Sequence, residues 1–237
     1  MKYMNFNPKV HDANKIATLR YNVDFRTYDK LFGSKEKAIE TLEKTLKKDE
    51  YTKVIYDNEN IIGILVAYTQ DNEPKFHFQS LKLLIHEILD YFVICDIKKD
   101  DVYIAEIAID ENQRSKGYGT KVIEDVIDYA RKNGYKRVIL DADFRNPKAK
   151  ALYERLGFKV YNKKSFLKRG MYNMEFKISW IFLITISIYY TFNFKKILKN
   201  IGLKNQQFFK WLNLFHFFTW EIYFFRLVET KSLGFSC

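Results

Sequence analysis

The chain has 237 residues, a length that suggests one domain plus an appendage. Cys95 and Cys237 are its two cysteines, too few for a disulfide framework or a cysteine-built metal centre, so a reducing cytoplasm is the expected setting. Net charge is +11, of which residues 177–237 supply +6; the rest is only mildly basic and lacks the dense basic patch of a nucleic-acid surface, so no nucleic-acid partner is expected.

No charged, apolar, small-residue succession at the N-terminus resembles a signal peptide. From Asp12 to Phe32, Ile16, Leu19, Val23, Phe25 and Tyr28 predict one or two short helices. Ser34 is the expected N-cap of a helix over Lys35–Lys48, with Ala38, Leu42 and Leu46 as its buried stripe. Lys53–Tyr56 and Ile61–Tyr68 predict a β-hairpin around Asp57-Asn58-Glu59-Asn60. Within Ser80–Phe92, Leu81, Leu84, Ile85, Ile88, Leu89 and Phe92 recur at helical spacing.

Val102–Ile109 predicts a strand and Lys121–Lys132 a helix, and between them lies Gln113-Arg114-Ser115-Lys116-Gly117-Tyr118-Gly119-Thr120. A basic, glycine-containing turn that opens a helix suits phosphate. The first helical N–H groups have no partner inside the helix and carry the positive end of its dipole. Gly117 and Gly119 lack a Cβ, so their amides can approach a pyrophosphate closely, while Arg114 and Lys116 add charge at the rim. A P-loop is excluded, because no Lys followed by Ser or Thr stands in that register. A dinucleotide-binding unit wants a third glycine where Val122 stands; only Asp141, about twenty residues on, favours it.

Asn133-Gly134 stops the helix, and Arg137–Asp141 is the next strand of a β-α-β unit. Asn146 precedes a second helix, Pro147–Leu156, closed by Gly157, and Lys159–Asn162 and Met171–Phe176 predict late strands.

Arg114-Ser115-Lys116-Gly117-Tyr118-Gly119 resembles the Arg/Gln-x-x-Gly-x-Gly/Ala signature of the GCN5-related N-acetyltransferase (GNAT) superfamily. Downstream, the run from Asn146 to Phe158 resembles that family's Asn-x-x-Ala-x-x-Leu-Tyr-x-x-Leu-Gly-Phe segment. The two motifs stand in the family's order and separation, and the close resemblance covers about Val102 to Val160. It implies an α/β fold with a mixed central sheet and flanking helices, acetyl-CoA as cosubstrate, and a primary amine as acceptor, either a protein N-terminus or a small molecule.

The resemblance also assigns residues. Arg114, Ser115, Lys116, Gly117, Tyr118, Gly119 and Thr120 would cradle the pyrophosphate. Ile107, Ala108 and Ile109 would lend backbone groups to the pantetheine where their strand splays from its neighbour. Tyr153 would face the cofactor sulfur and protonate, or hydrogen-bond, the leaving thiolate, and Asn146 would contact the cofactor while capping its helix. For the base, Glu106 and Asp141 are the candidates, with Asp143 nearby. Asp141 occupies the position that resembles the acidic residue of ribosomal-protein N-terminal acetyltransferases. No activated cysteine signature supports a covalent intermediate, and no metal is implied. The rival from another class is a non-catalytic acyl-CoA-binding regulatory module, with or without a membrane tether in its tail, which would need neither Tyr153 nor a base.

Residues 1–177 are expected to form the acetyltransferase domain, and 178–237 an aromatic and Lys-rich extension. Ile178–Phe194 carries no charge, and the extension lacks Ala, Pro and Asp altogether. It is read either as a membrane-associated segment, barely reaching the lower end of the roughly 17–25 residues of a spanning helix, or as a read-through tail of an A/T-rich gene.

Overall fold

A computed structural model describes residues 1–74 and 80–179. Both readings of the extension concern residues outside these, apart from Ile178 and Ser179. Met1–Lys177 form one compact unit. Among the described residues, no helix is long and apolar enough to cross a membrane.

The chain opens with β1 (Lys2–Asn5), then α1 (Ala13–Val23), α2 (Phe25–Phe32) and α3 (Lys35–Thr45). Asp12 caps α1, accepting a hydrogen bond from the Lys15 amide at 3.0 Å, and Ser34 caps α3. Gly33, at φ 78°, ends α2 in the left-handed region that a side chain would strain. The predicted helical stretch over Asp12–Phe32 is thus two helices, broken at Asp24 (φ −137°, ψ 48°). The hairpin follows as β2 (Thr52–Asp57) and β3 (Asn60–Tyr68), and α4 is Leu81–Tyr91.

The second half runs β4 (Asp101–Ile109), α5 (Tyr118–Lys132), β5 (Arg137–Asp143), α6 (Pro147–Arg155), β6 (Lys159–Phe166) and β7 (Arg169–Lys177). The strands form a seven-stranded sheet in the order β1-β2-β3-β4-β5-β7-β6. β4 and β5 pair in parallel, and the other neighbours are antiparallel. The parallel pair is joined through α5, as a crossover requires. This is the mixed sheet with flanking helices that the sequence predicts. β1 and the greater lengths of β6 and β7 were not anticipated.

Val122, Ile123, Val126, Ile127 and Ala130 are the buried stripe of α5, spaced to face one side of a helix. Phe6, Ile16, Leu19, Val54, Ile64 and Ala108 pack α1 onto the sheet. A second cluster, including Tyr21, Tyr28, Phe32, Leu42 and Leu83, binds the four N-terminal helices to one another. At the start of the parallel pair, Arg137 donates two hydrogen bonds to buried Asp101, at 2.8 and 2.6 Å, and one to Glu175 at 2.7 Å. That fork locks β4, β5 and β7 together at one end of the sheet.

Candidate active site

At the other end, β4 and β5 part. Their ladder runs from Asp101↔Arg137 to Ile104↔Leu140 and stops, although β4 continues to Ile109 and β5 to Asp143. β3 keeps its hold on β4 as far as Gly63↔Ile109, with a register shift in which Val66 pairs with Glu106 and Ala67 with Ile104. Ala105 is therefore the extra residue of a β-bulge, which bends its strand. Beyond it, the backbone groups of Ile107–Ile109 that turn away from β3 have no ladder partner in β5. A pantetheine chain, with its own amides, can supply the missing partners.

Ile109 leads into the glycine turn. Asp110 accepts from the Asn112 amide at 3.0 Å and pairs with Lys15 at 3.3 Å, and Arg114 Nε donates to the Ile109 carbonyl at 3.3 Å. Ser115 and Gly117 both have positive φ, 65° and 82°, and α5 starts at Tyr118. A Cβ at Gly117 would meet nothing within 4 Å, so the space over this helix N-terminus is open. Lys116 Nζ donates to Gln113 at 2.8 Å, and the Tyr118 hydroxyl donates to Asp57. Open space, unpartnered first-turn amides and two nearby cations fit a pyrophosphate.

Asn146 caps α6, its side chain accepting from the Ala149 amide at 3.1 Å, with Pro147 in the first turn. Tyr153 follows two turns on. No described residue hydrogen-bonds to its hydroxyl, and burial first, then the charge of Asp141, pushes its pKa up to about 12. A phenol so placed stays protonated at neutral pH.

A cavity of about 900 Å³ collects these parts: Ile107–Ile109, Arg114, Asn146, Tyr153, Glu106 and Asp141 all line it. Ser115, Lys116, Gly117, Tyr118, Gly119 and Thr120 continue along the turn and are not in its lining.

The two candidate bases differ. Asp141 accepts four hydrogen bonds: from the Cys95 amide at 3.1 Å, the Cys95 thiol at 3.1 Å, the Tyr103 hydroxyl at 2.8 Å and Asn173 at 2.6 Å. A carboxylate has about four acceptor sites, so Asp141 is a filled hub tying β5, β4, β7 and the chain at Cys95 together rather than an open base. Glu106 lies 3.3 Å from Arg20 Nε, and its Oε2 is buried without a hydrogen-bond partner. Asp143, the third acid, is held by Arg145, whose Nε donates to it at 2.9 Å.

One cluster in the cavity wall was not anticipated. Arg169, 7% exposed, forms ion pairs with both Asp24 and Asp90 and donates to Thr27 at 2.7 Å. His86 lies between the same two acids, Nε2 3.4 Å from Asp24 and Nδ1 3.1 Å from Asp90, and stacks on Tyr28 with centroids 4.6 Å apart. Arg145 adds a contact to Asp24 at 3.6 Å. Burial would raise the Asp24 carboxyl, but the hydrogen bond from His86 and the charge of Arg169 outweigh it and hold its pKa at about 2. Burial would lower the His86 pKa, and the two acids reverse that and raise it. The cluster ties the α1–α2 corner, α4 and the start of β7 into one wall.

Residues 19–158 match the family described as the acetyltransferase (GNAT) family. The chain belongs to that family, one of acetyltransferases that draw the acetyl group from acetyl-CoA. It is 32% identical over 98 residues to N-alpha-acetyltransferase 30 of Schizosaccharomyces pombe, covering 38% of this chain and 61% of that protein. It is 31% identical over 81 residues to the ribosomal protein bS18-alanine N-acetyltransferase of Salmonella typhimurium, covering 34% of this chain and 55% of that one. The chain thus matches less than two thirds of the length of either relative. The crystal structure of an N-acetyltransferase from Staphylococcus aureus Mu50 superposes with a TM-score of 0.56 at 21% identity, over 74% of this chain and all of that one, and shares the fold.

Proposed function

We propose that the protein is an acetyl-CoA-dependent N-acetyltransferase in which a primary amine attacks the thioester directly. The observation that carries this reading is the parting of β4 and β5 after Ile104↔Leu140, which opens a cavity bordered by the glycine turn and by the free hydroxyl of Tyr153. Acetyl-CoA supplies an activated acetyl group. The amides of the Arg114–Thr120 turn hold its pyrophosphate, with Arg114 and Lys116 beside them. The freed backbone of Ile107, Ala108 and Ile109 aligns the pantetheine arm, and Asn146 contacts the cofactor from the start of α6.

Tyr153 donates a hydrogen bond to the sulfur. With its pKa pushed up to about 12, above that of an ordinary thiol, outright proton transfer is uphill, so its main part is to stabilise the departing sulfur by a hydrogen bond. Glu106, oriented by Arg20, takes the proton of the acceptor ammonium, directly or through a water. Asp141 shapes the wall. Cys95, the free thiol among the described residues, is buried outside the cavity lining, and burial raises its pKa well above the usual range. It is therefore no nucleophile, which supports direct attack.

One relative is named an N-alpha-acetyltransferase and another a ribosomal protein bS18-alanine N-acetyltransferase, and an N-terminal amine or a small amine is the acceptor in this proposal. Incubation with acetyl-CoA alone should leave the intact protein mass unchanged, and addition of a primary amine should yield the acetylated amine. An acetylated protein that passes its acetyl group to the amine would refute direct attack.

A further inference from the structure

We infer that the acceptor is a primary amine flanked by a bulky apolar substituent, an inference that rests on the proposed transfer reaction. Val23 and Phe25 bracket Asp24, and Ile88 and Tyr91 bracket Asp90 in sequence. Arg169 pairs with both acids and His86 lies between them, so the two corners are drawn to one place. The four apolar residues line the cavity yet are 42%, 41%, 46% and 75% exposed, respectively. Large apolar side chains left open at the lips of a cavity are stabilised when an apolar group covers them.

Charge narrows the class further. Within the wall, Asp24 and Asp90 are met by Arg169 and His86, Asp143 by Arg145, and Glu106 by Arg20. Glu73 and Glu87 also line the cavity, are exposed and form no salt bridge among the described residues. They repel an acceptor that carries an anion near its amine. An apolar neighbour is favoured, and an acidic one is disfavoured.

The full-length protein, saturated with acetyl-CoA, should be assayed with phenethylamine and ethanolamine, and with short peptides beginning with Phe, Ala or Asp. The inference expects kcat/KM for phenethylamine or the Phe peptide to exceed that of its polar and acidic counterparts at least tenfold. Whichever apolar arm is faster identifies a small amine or a peptide N-terminus as the source. Ile88→Ser and Phe25→Ser should each shrink that preference several-fold while acetyl-CoA affinity, titrated by calorimetry, stays at the wild-type value. Equal rates across the panel, or a faster polar or acidic acceptor, would overturn the inference and leave the transfer reaction standing. Acetyl-CoA binding without acetylation of any amine would remove the reaction itself, and the inference with it.

Discussion

Ile104 and Leu140 are the last partners of the parallel β4–β5 ladder, and the bulge at Ala105 follows at once. One residue of extra chain thereby ends a ladder, frees a strand edge and opens the cavity. The proposed cofactor, thiolate and amine sites all depend on that divergence.

The cradle is tested by Gly117→Asp. The position sits at φ 82° with open space above it, so the substitution adds backbone strain and places a carboxylate where a pyrophosphate would lie. Acetyl-CoA affinity should fall at least tenfold, about 1.4 kcal/mol. Calorimetry on the folded variant reads this directly, and an unchanged affinity would remove the turn from the site.

Tyr153→Phe keeps the ring against Phe158, 6.2 Å away between centroids, and deletes the hydroxyl. Acetyl-CoA binding should persist while kcat falls by about 10². Wild-type turnover would assign the tyrosine to packing.

The two acids separate by stability against rate. Asp141→Asn replaces an acceptor by a donor facing Tyr103, Cys95 and Asn173, and each orphaned donor costs about 1–3 kcal/mol. Urea unfolding should therefore show a large loss of stability. Glu106→Gln, which leaves the Arg20 charge without its partner, should cost some stability but lower kcat far more than Asp141→Asn does at equal folded fraction. The reverse pattern would exchange their roles.

The turn before α5, the Asn146 cap and the place of Tyr153 on α6 were legible because each depends on a short run of chain: a glycine pair before a helix, an Asx cap before a proline, a tyrosine at fixed helical spacing. The acid network was not. Asp24, His86, Asp90 and Arg169 come from three distant stretches, with Asp24 and Arg169 separated by 145 residues, and no local period marks residues that meet only through the fold. The partners of Asp141 were hidden for the same reason. Its position in the strand suggested a base, whereas its four donors lie on β4, β7 and the segment after α4. β1 escaped because Lys2–Asn5 has no alternating burial and is defined by its register against β2.

Acid should weaken the wall. Asp24 has its pKa lowered from 3.8 to about 2, so its contribution is full above its unfolded value and is lost as pH falls from about 4 to about 2. The linkage is worth about 2 kcal/mol. His86, with its pKa raised above 6.5, contributes in the opposite sense: fully below 6.5, and lost as pH rises through its raised value. Urea midpoints should drop between about pH 4 and pH 2 in the wild type, and Asp24→Asn should be weaker at about pH 6 but less sensitive to acid. Parallel curves would show that Asp24 does not titrate with folding.

Truncation after Ser179 keeps all of β7 and the buried Ile178. The shortened chain is expected to fold and to bind acetyl-CoA with the affinity of the full chain, as calorimetry would show. A chain that no longer folds would make the extension part of the domain.

The central claim is that the β4–β5 cavity transfers an acetyl group to an amine rather than only binding an acyl-CoA. It is tested most directly by the initial rate of CoA thiol release from saturating acetyl-CoA, with and without a primary amine whose acetylated product is quantified by mass. The account predicts amine-dependent release, one acetylated amine per thiol, and loss of most of that rate in Tyr153→Phe. Saturable acetyl-CoA binding with no amine-dependent thiol release would contradict it and would make the protein a binding module.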